Sequence, residues 1–172
     1  MSMQLDFSAK RVLVTGSTMG IGRAAAEGFH ELGATVAING RSAKSVAKTI
    51  AEMGGGERLI AAPGDLSKVA EIHKVVPAAI AALGGLDILV NNAGRGDEAL
   101  IDDIDEAHWQ SMLALNLKGA FFTIQACLPA LKESKGNIVN VASMLGVMGG
   151  PAGNIVYSTT KGAMVNMTRE MA

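Results

Sequence analysis

Tyr157 and Lys161 stand four residues apart, so on a helix they share one face. That pairing has a chemical use. A tyrosine ordinarily titrates near pH 10 and is a poor base at neutral pH, but a neighbouring ammonium stabilises the phenolate. Ser143 lies upstream at the end of an apolar run, where a hydroxyl brought close by folding could hydrogen-bond a reacting oxygen. Alone, a tyrosine and a lysine at this spacing describe a half-buried helix face more often than a catalytic pair. A strand-end serine together with a nucleotide-binding loop reverses that balance.

Such a loop is present as Thr15-Gly16-Ser17-Thr18-Met19-Gly20-Ile21-Gly22, between a short apolar run and an amphipathic stretch. Gly16 permits a sharp turn, Gly20 lets the backbone approach a pyrophosphate, and Gly22 allows a helix to lie close to a strand. The helix start then offers unpaired N–H groups and a positive dipole end to phosphates. A bare glycine triplet is weak evidence; its place at the first strand–helix junction makes it specific.

Asn39-Gly40-Arg41-Ser42 closes the second apolar run. A carboxylate here would grip an adenosine ribose and repel a 2′-phosphate; glycine and an arginine able to chelate phosphate favour NADP(H) over NAD(H). Asp65-Leu66 follows the third run and Asn91-Asn92-Ala93-Gly94 the fourth. Both lie at carboxyl ends of expected parallel strands, where ligands collect. Asp65 fits a helix cap as well as a ligand contact, and Asn92 and Gly94 also fit an ordinary turn.

The elements that must position these residues are readable. Strands are expected at residues 10–15, 34–39, 58–62, 86–91 and 136–143, nearly all continuous apolar runs. Helices are expected at 20–32, 43–53, 67–83 and 104–133, and from Asn154 onward, with Pro77 kinking or splitting the third and Gly119 the weak point of the fourth. In the first helix, Ile21, Ala24, Ala25, Phe29 and Leu32 form the apolar stripe. Alternating strands and helices define an α/β protein with a doubly wound parallel sheet, a Rossmann fold, as one domain over 1–172.

Composition narrows the partners. With 15 basic and 16 acidic residues, no cationic excess exists to neutralise a nucleic acid. The single cysteine, Cys127, excludes an intrachain disulfide and a cysteine metal cage, and no metal site is expected. No leader peptide and no apolar run near ~18 residues is read, so a cytoplasmic setting without a membrane partner is expected. His30, His73 and His108 are scattered and expected at the surface, Cys127 in the core, and Trp109 and Phe121-Phe122 against the core or a subunit.

The motifs together resemble the short-chain dehydrogenase/reductase family, in its classical branch. Thr15 to Gly22, Asp65, Asn91 to Gly94, Asn116, Ser143 and Tyr157-Ser-Thr-Thr-Lys161 occur in that family's order and spacing over nearly the whole chain. The resemblance implies that Tyr157 is the general acid in ketone reduction and the base in alcohol oxidation. Lys161 would bind the nicotinamide ribose and favour the phenolate of Tyr157, Ser143 would orient the substrate carbonyl, and Asn116 would hold a water in a proton relay. Asp65 would meet the adenine and Asn92 the adenosine-side ribose. Cofactor contacts are expected from residues 16–22 (Gly16, Ser17, Thr18, Met19, Gly20, Ile21, Gly22), from Asn39, Arg41 and Ser42, from Asp65, Leu66, Asn92, Ala93 and Gly94, and from Tyr157 and Lys161. Met19 departs from the basic residue that NADP-preferring members often carry.

The expected function is NADP(H)-dependent interconversion of a small carbonyl compound and a secondary alcohol, in a homotetramer or dimer built on the fourth and final helices. Two other readings are a non-catalytic dinucleotide-binding or interaction module and, less in keeping with the spacing, a sugar epimerase. Family members continue past this helix, and Ala163, Met164, Met167 and Met171 carry an apolar stripe to the last residue without a closing signal. The chain is therefore expected to be truncated after the fifth strand and part of the following helix. The small apolar loop 144–153 suits a neutral carbonyl compound.

Overall fold

In the computed structural model, which describes residues 5–172, five parallel strands form one sheet in the order β3-β2-β1-β4-β5. The first four residues of the expected 1–172 domain lie outside the described part. The strands are β1 (Arg11–Val14), β2 (Thr35–Gly40), β3 (Leu59–Pro63), β4 (Ile88–Asn91) and β5 (Asn137–Asn140). The helices are α1 (Gly20–Glu31), α2 (Ala43–Glu52), α3 (Val69–Leu83), α4 (Glu106–Leu113), α5 (Ala120–Ser134) and α6 (Ile155–Met171). The doubly wound Rossmann-type architecture expected from the sequence is present. Its order reverses between β1 and β4, which opens a crevice at the carboxyl ends of those strands.

Side chains alternate along each strand and fill a separate core on each sheet face. Leu13, Ala37 and Leu89 point to the face covered by Ile72, Val76 and Ala79 of α3 and Ile124, Cys127 and Leu131 of α5. Val12, Val14, Val36 and Ile38 point to the other, with Ala26 of α1 and Val46 of α2. Arg11 staples β1 to the start of β4, donating from Nε to Asp87 at 2.8 Å. That hydrogen bond holds the Asp87 carboxyl below the usual carboxylate range against the opposing effect of burial.

Several expectations are corrected. Of the expected stripe on α1, Ala25 and Phe29 pack against the core beside the buried Gly22 and Ala26, whereas Ala24 and Leu32 are exposed and Ile21 is 69% exposed, because the first turn belongs to the crevice. α3 runs unbroken through Pro77. Pro77 and the carbonyl-bearing residue one turn before it, His73, are both exposed, so the carbonyl that proline leaves without a donor sits on the solvent side of the helix and not in the core. β5 is not buried on both sides; Val139 is 49% exposed. His30 is half-buried with Nδ1 unpartnered, and its pKa is lowered chiefly by burial.

The long helical stretch is also more structured than its periodicity implies. A 3-10 turn at Ile101–Asp103 precedes α4, whose cap Asp105 accepts from the His108 amide at 2.7 Å. α4 and α5 are then joined by a π-helical turn at Ala114–Gly119. Joined in this way, Glu106–Ser134 is long and apolar enough to cross a membrane by length and composition, against the sequence reading. Its Ile124, Cys127 and Leu131 are buried in the core of this protein.

Cys127 shows what that burial does. Its thiol is pushed up to about 12 by loss of solvent. Below that pH it stays neutral, so at pH 8 the thiolate that alkylates is scarce. We expect no iodoacetamide labelling of the folded protein at pH 8 and complete labelling in denaturant, read by intact mass. Rapid native labelling would contradict the burial.

Candidate active site

A cleft of about 240 Å³ opens at the carboxyl ends of β1, β4 and β5. Gly16, Met19 and Ile21 line it from the glycine loop, Asn92, Gly94, Arg95 and Gly96 from the segment after β4, Val141 and Ala142 from beyond β5, and Tyr157 and Lys161 from α6. Three distant motifs of the sequence thus meet in one crevice.

The glycine loop is held by side chains that face inward. Thr15 and Ser17 are fully buried. Thr15 Oγ1 accepts from the amides of Asn92 and Ala93, each at 2.9 Å. Ser17 Oγ donates to Val14 O at 2.7 Å and accepts from Asn39 N at 2.9 Å. Asn39 Oδ1 accepts from Gly16 N at 3.1 Å while its amide donates to Ala62 O at 2.8 Å. Asn92 Nδ2 donates to Thr15 O at 2.9 Å. Asn39 therefore frames the loop, and Asn92 frames it while also lining the cleft.

The glycines behave as their spacing suggests. Gly16 (φ 63°) and Gly20 (φ 57°) have left-handed backbones, and a Cβ on Gly20 would project into open space. A Cβ on Gly22 would strike Asn92 Nδ2 and Gly16 O, so α1 lies as close to β4 as glycine allows. No side chain caps α1, whose N-cap residue is the exposed Met19. Uncapped amides beside an open glycine turn suit a pyrophosphate.

Around the rim, Arg41 is exposed and close enough to Asp65 to bear on its charge. Burial acts to raise the pKa of Asp65, but hydrogen bonds from Ser67 and the charges of Lys68 and Arg41 outweigh it and leave the pKa lowered. Asp65 Oδ1 accepts from Ser67 N at 3.0 Å and Ser67 Oγ at 2.7 Å, which closes a turn ahead of α3; Asp65 is not the helix cap, because that position is Lys68, whose side chain makes no capping bond. Ser42 caps α2 by accepting from Ser45 N at 3.1 Å. Leu66 points into the core, away from the cleft, and Ala93 packs against the same core. Thr18 is half-buried, against Gly40.

The Tyr157 ring is half-buried, and Lys161 Nζ sits 5.8 Å from its centroid. Lys161 is 4% exposed, donates from Nζ to Val141 O at 2.7 Å, and has its pKa lowered by burial. Ser143 Oγ accepts from Leu145 N at 3.2 Å, capping a 3-10 turn at Met144–Gly146. Ser143 is half-buried and does not line the cleft. Asn116 is fully buried inside the π turn; its Oδ1 accepts from Arg95 N at 2.9 Å and its Nδ2 donates to Arg95 O at 2.8 Å. Its side chain thus pins the cleft wall.

Sequence reasoning missed Arg95, Gly96, Val141 and Ala142. A signal was available, because Arg95-Gly96 directly follow the motif at the β4 carboxyl end and Val141-Ala142 directly precede Ser143. Among the described residues no cluster of potential metal ligands occurs.

Five parallel strands, a glycine turn opening α1 and a tyrosine–lysine helix facing the same crevice define a Rossmann-type dehydrogenase scaffold. The chain belongs to the short chain dehydrogenase family, whose profile matches residues 10–172. It is 39% identical over 171 residues to the uncharacterized oxidoreductase YvrD of Bacillus subtilis, covering 99% of this chain and 64% of that protein. It is 39% identical over 167 residues to the D-beta-hydroxybutyrate dehydrogenase of Cupriavidus necator, covering 96% of this chain and 64% of that protein. Among solved structures, the Pseudomonas aeruginosa RhlG/NADP active-site complex superposes with a TM-score of 0.92 at 30% identity, covering 100% of this chain and 69% of that chain. The chain thus spans just under two thirds of the length of these two sequence relatives.

Proposed function

We propose that the protein is an NADP(H)-dependent oxidoreductase that interconverts a carbonyl compound and a secondary alcohol. One observation carries this reading: a buried lysine without a carboxylate partner among the described residues, held by Val141 O beside the Tyr157 ring in a cleft that opens at an uncapped glycine turn. Burying an ammonium is costly, and its place beside a phenol gives that cost a use in proton transfer.

The open space at Gly20 and the uncapped start of α1 fit the pyrophosphate of a nicotinamide dinucleotide, with Met19 and Ile21 beside it. When bound, that cofactor supplies or accepts the hydride. Tyr157 gives its phenolic proton to the carbonyl oxygen during reduction and takes the hydroxyl proton during oxidation. The Lys161 ammonium favours the phenolate between these events and holds the nicotinamide ribose. Ser143, which caps the turn at Met144–Gly146 and lies outside the cleft lining, would have to turn its hydroxyl into the cleft to meet the reacting oxygen. The Asn116 region carries the water of the proton relay. The activities in the names of YvrD and the hydroxybutyrate enzyme agree with this reaction class, and RhlG is solved with NADP.

The reading is tested by NADPH consumption with acetoacetate, its ethyl ester and a panel of neutral ketones. Saturable turnover supports it, and tight NADPH binding with no turnover on any of them favours a binding module. Cofactor choice is assigned to Arg41, exposed at the end of β2. Arg41→Ala is expected to weaken NADPH binding by about 1.5–3 kcal/mol, the scale of a hydrogen bond to a charged group, and to leave NADH nearly unchanged. Equal losses for both in fluorescence titrations would remove Arg41 from the 2′-phosphate.

Self-association belongs to the same proposal. Phe121 is 48% exposed on α5 and Trp109 37% on α4, whereas Phe122 packs on the core and Met164 is fully buried. On α6, Ile155 and Met171 are exposed, so apolar side chains for a partner copy remain on both the α4–α5 stretch and the final helix.

A further inference from the structure

Thr160 lies between Tyr157 and Lys161 on α6 and is fully buried. Its hydroxyl does two things that only a hydroxyl can do. It accepts a hydrogen bond from Asn116 Nδ2 at 3.2 Å and donates one to Tyr157 O at 2.7 Å. Asn116 in turn grips both the N–H and the C=O of Arg95, a residue of the cleft wall. A continuous polar chain thus runs from the wall through the π turn to the backbone of Tyr157.

We propose that Thr160 is a positioning residue, whose hydroxyl fixes the turn of α6 bearing Tyr157 and Lys161 against Asn116 and the Arg95 segment. The inference rests on the catalytic reading of Tyr157 and Lys161 given above.

Helix stability does not explain this threonine. Threonine is a poorer helix former than alanine, and back-bonding to the preceding turn adds nothing that the helix ladder lacks. Its neighbour Thr159 shows the ordinary case: its hydroxyl bonds to Ile155 O at 2.8 Å at an exposed position. Thr160 differs in reaching across to another element. The Ala114–Gly119 π turn holds Asn116 fully buried within reach of that hydroxyl.

The other ties on this turn leave it a job to do. Lys161 is anchored through its long, flexible side chain to Val141 O. Gly146 lies so close to the Lys161 backbone that a Cβ there would stand 2.7 Å from its carbonyl carbon. Neither contact sets the turn relative to the Arg95 wall, and the Asn116–Thr160 bond does. Reaction rates are steep in such placement, because misplacement by ~1 Å costs on the order of 100-fold.

The test compares Thr160→Val, which keeps the shape and removes the hydroxyl, with Thr160→Ser, which restores it, and Thr159→Val as control. Tyr157→Phe is run alongside. With NADPH and ethyl acetoacetate, Thr160→Val is expected to lower kcat by about 10–100-fold, with KM and NADPH affinity within about threefold. Thr160→Ser should recover to within about threefold of the parent, and Thr159→Val should match it. Hydrogen exchange, which needs no turnover, should speed up over residues 94–97 and 157–162 in Thr160→Val alone. Unchanged kcat in Thr160→Val, no rescue by serine, or unchanged exchange in both segments would overturn the proposal. Turnover retained in Tyr157→Phe would instead refute the catalytic reading, and the exchange result would then decide the role of Thr160. Should Thr160→Val fail to fold, Thr160→Ala replaces it with the same expected outcomes.

Discussion

Tyr157→Phe is expected to lower kcat by about 10²–10⁴-fold in both directions, the range of a lost general acid–base group. NADPH affinity should stay within about threefold, because uniform binding does not depend on the transferred proton. The ring is half-buried and lines the cleft within reach of Gly96, so phenylalanine can occupy the same space. Lys161 keeps its bond to Val141 O, which does not involve the phenol. Stopped-flow reduction of a ketone and equilibrium NADPH fluorescence separate the two effects. Turnover within tenfold of the parent would remove Tyr157 from proton transfer and leave Ser143 or a bound water to serve.

Gly22→Ala has the second-largest expected effect, and here the loss falls on binding and stability together. The backbone of Gly22 is helical, so conformation alone would accept alanine. Space does not, since the added carbon would meet the Asn92 amide and Gly16 O. To make room, α1 must move off the sheet or Asn92 must release Thr15 O. Overpacking of this kind costs about 1–3 kcal/mol, and NADPH affinity should fall at least about tenfold as the loop loses its shape. Gly20→Ala is the informative comparison. Its carbon meets nothing, and its left-handed backbone costs about 1–2 kcal/mol, so its strain is conformational and no neighbour is displaced. Thermal melts and NADPH titrations of both variants check the contrast. A Gly22→Ala protein with parental melting and affinity would show that α1 and β4 can separate freely.

The elements that carry the site were legible because each announces itself locally. Val12-Leu13-Val14 and Val36-Ala37-Ile38 are apolar on both faces, as strands between two helical layers must be. The same logic misled at Ile21, where helical spacing marks an apolar residue for the core. The first turn of α1 belongs to the crevice, and Ile21 lines that cleft without being covered by the core. Periodicity also could not show the π turn at Ala114–Gly119, since one wide turn shifts the phase without breaking the pattern. Gly119 looked like a weak point for lack of a side chain. It is small because Leu66 O passes directly over it. Asn39 and Leu66 are expected near the ligand from their position at strand ends. Strand ends do gather ligands, but which way a side chain turns there depends on hydrogen bonds to distant backbone, such as Asn39 to Ala62 O, that no local pattern records.

The inward commitments of Thr15, Ser17 and Asn39 have a consequence for how such a protein can change over time. The residues that shape the glycine turn are sealed beneath it and bonded to one another. The residues that a ligand would read first, Met19 and Arg41, stand outside that frame with their side chains in solvent. Shape and taste are thus inherited separately. A lineage can alter Met19 or Arg41 by single substitutions without breaking any of those internal bonds, whereas a change at Thr15, Ser17 or Asn39 removes bonds on which the whole turn rests.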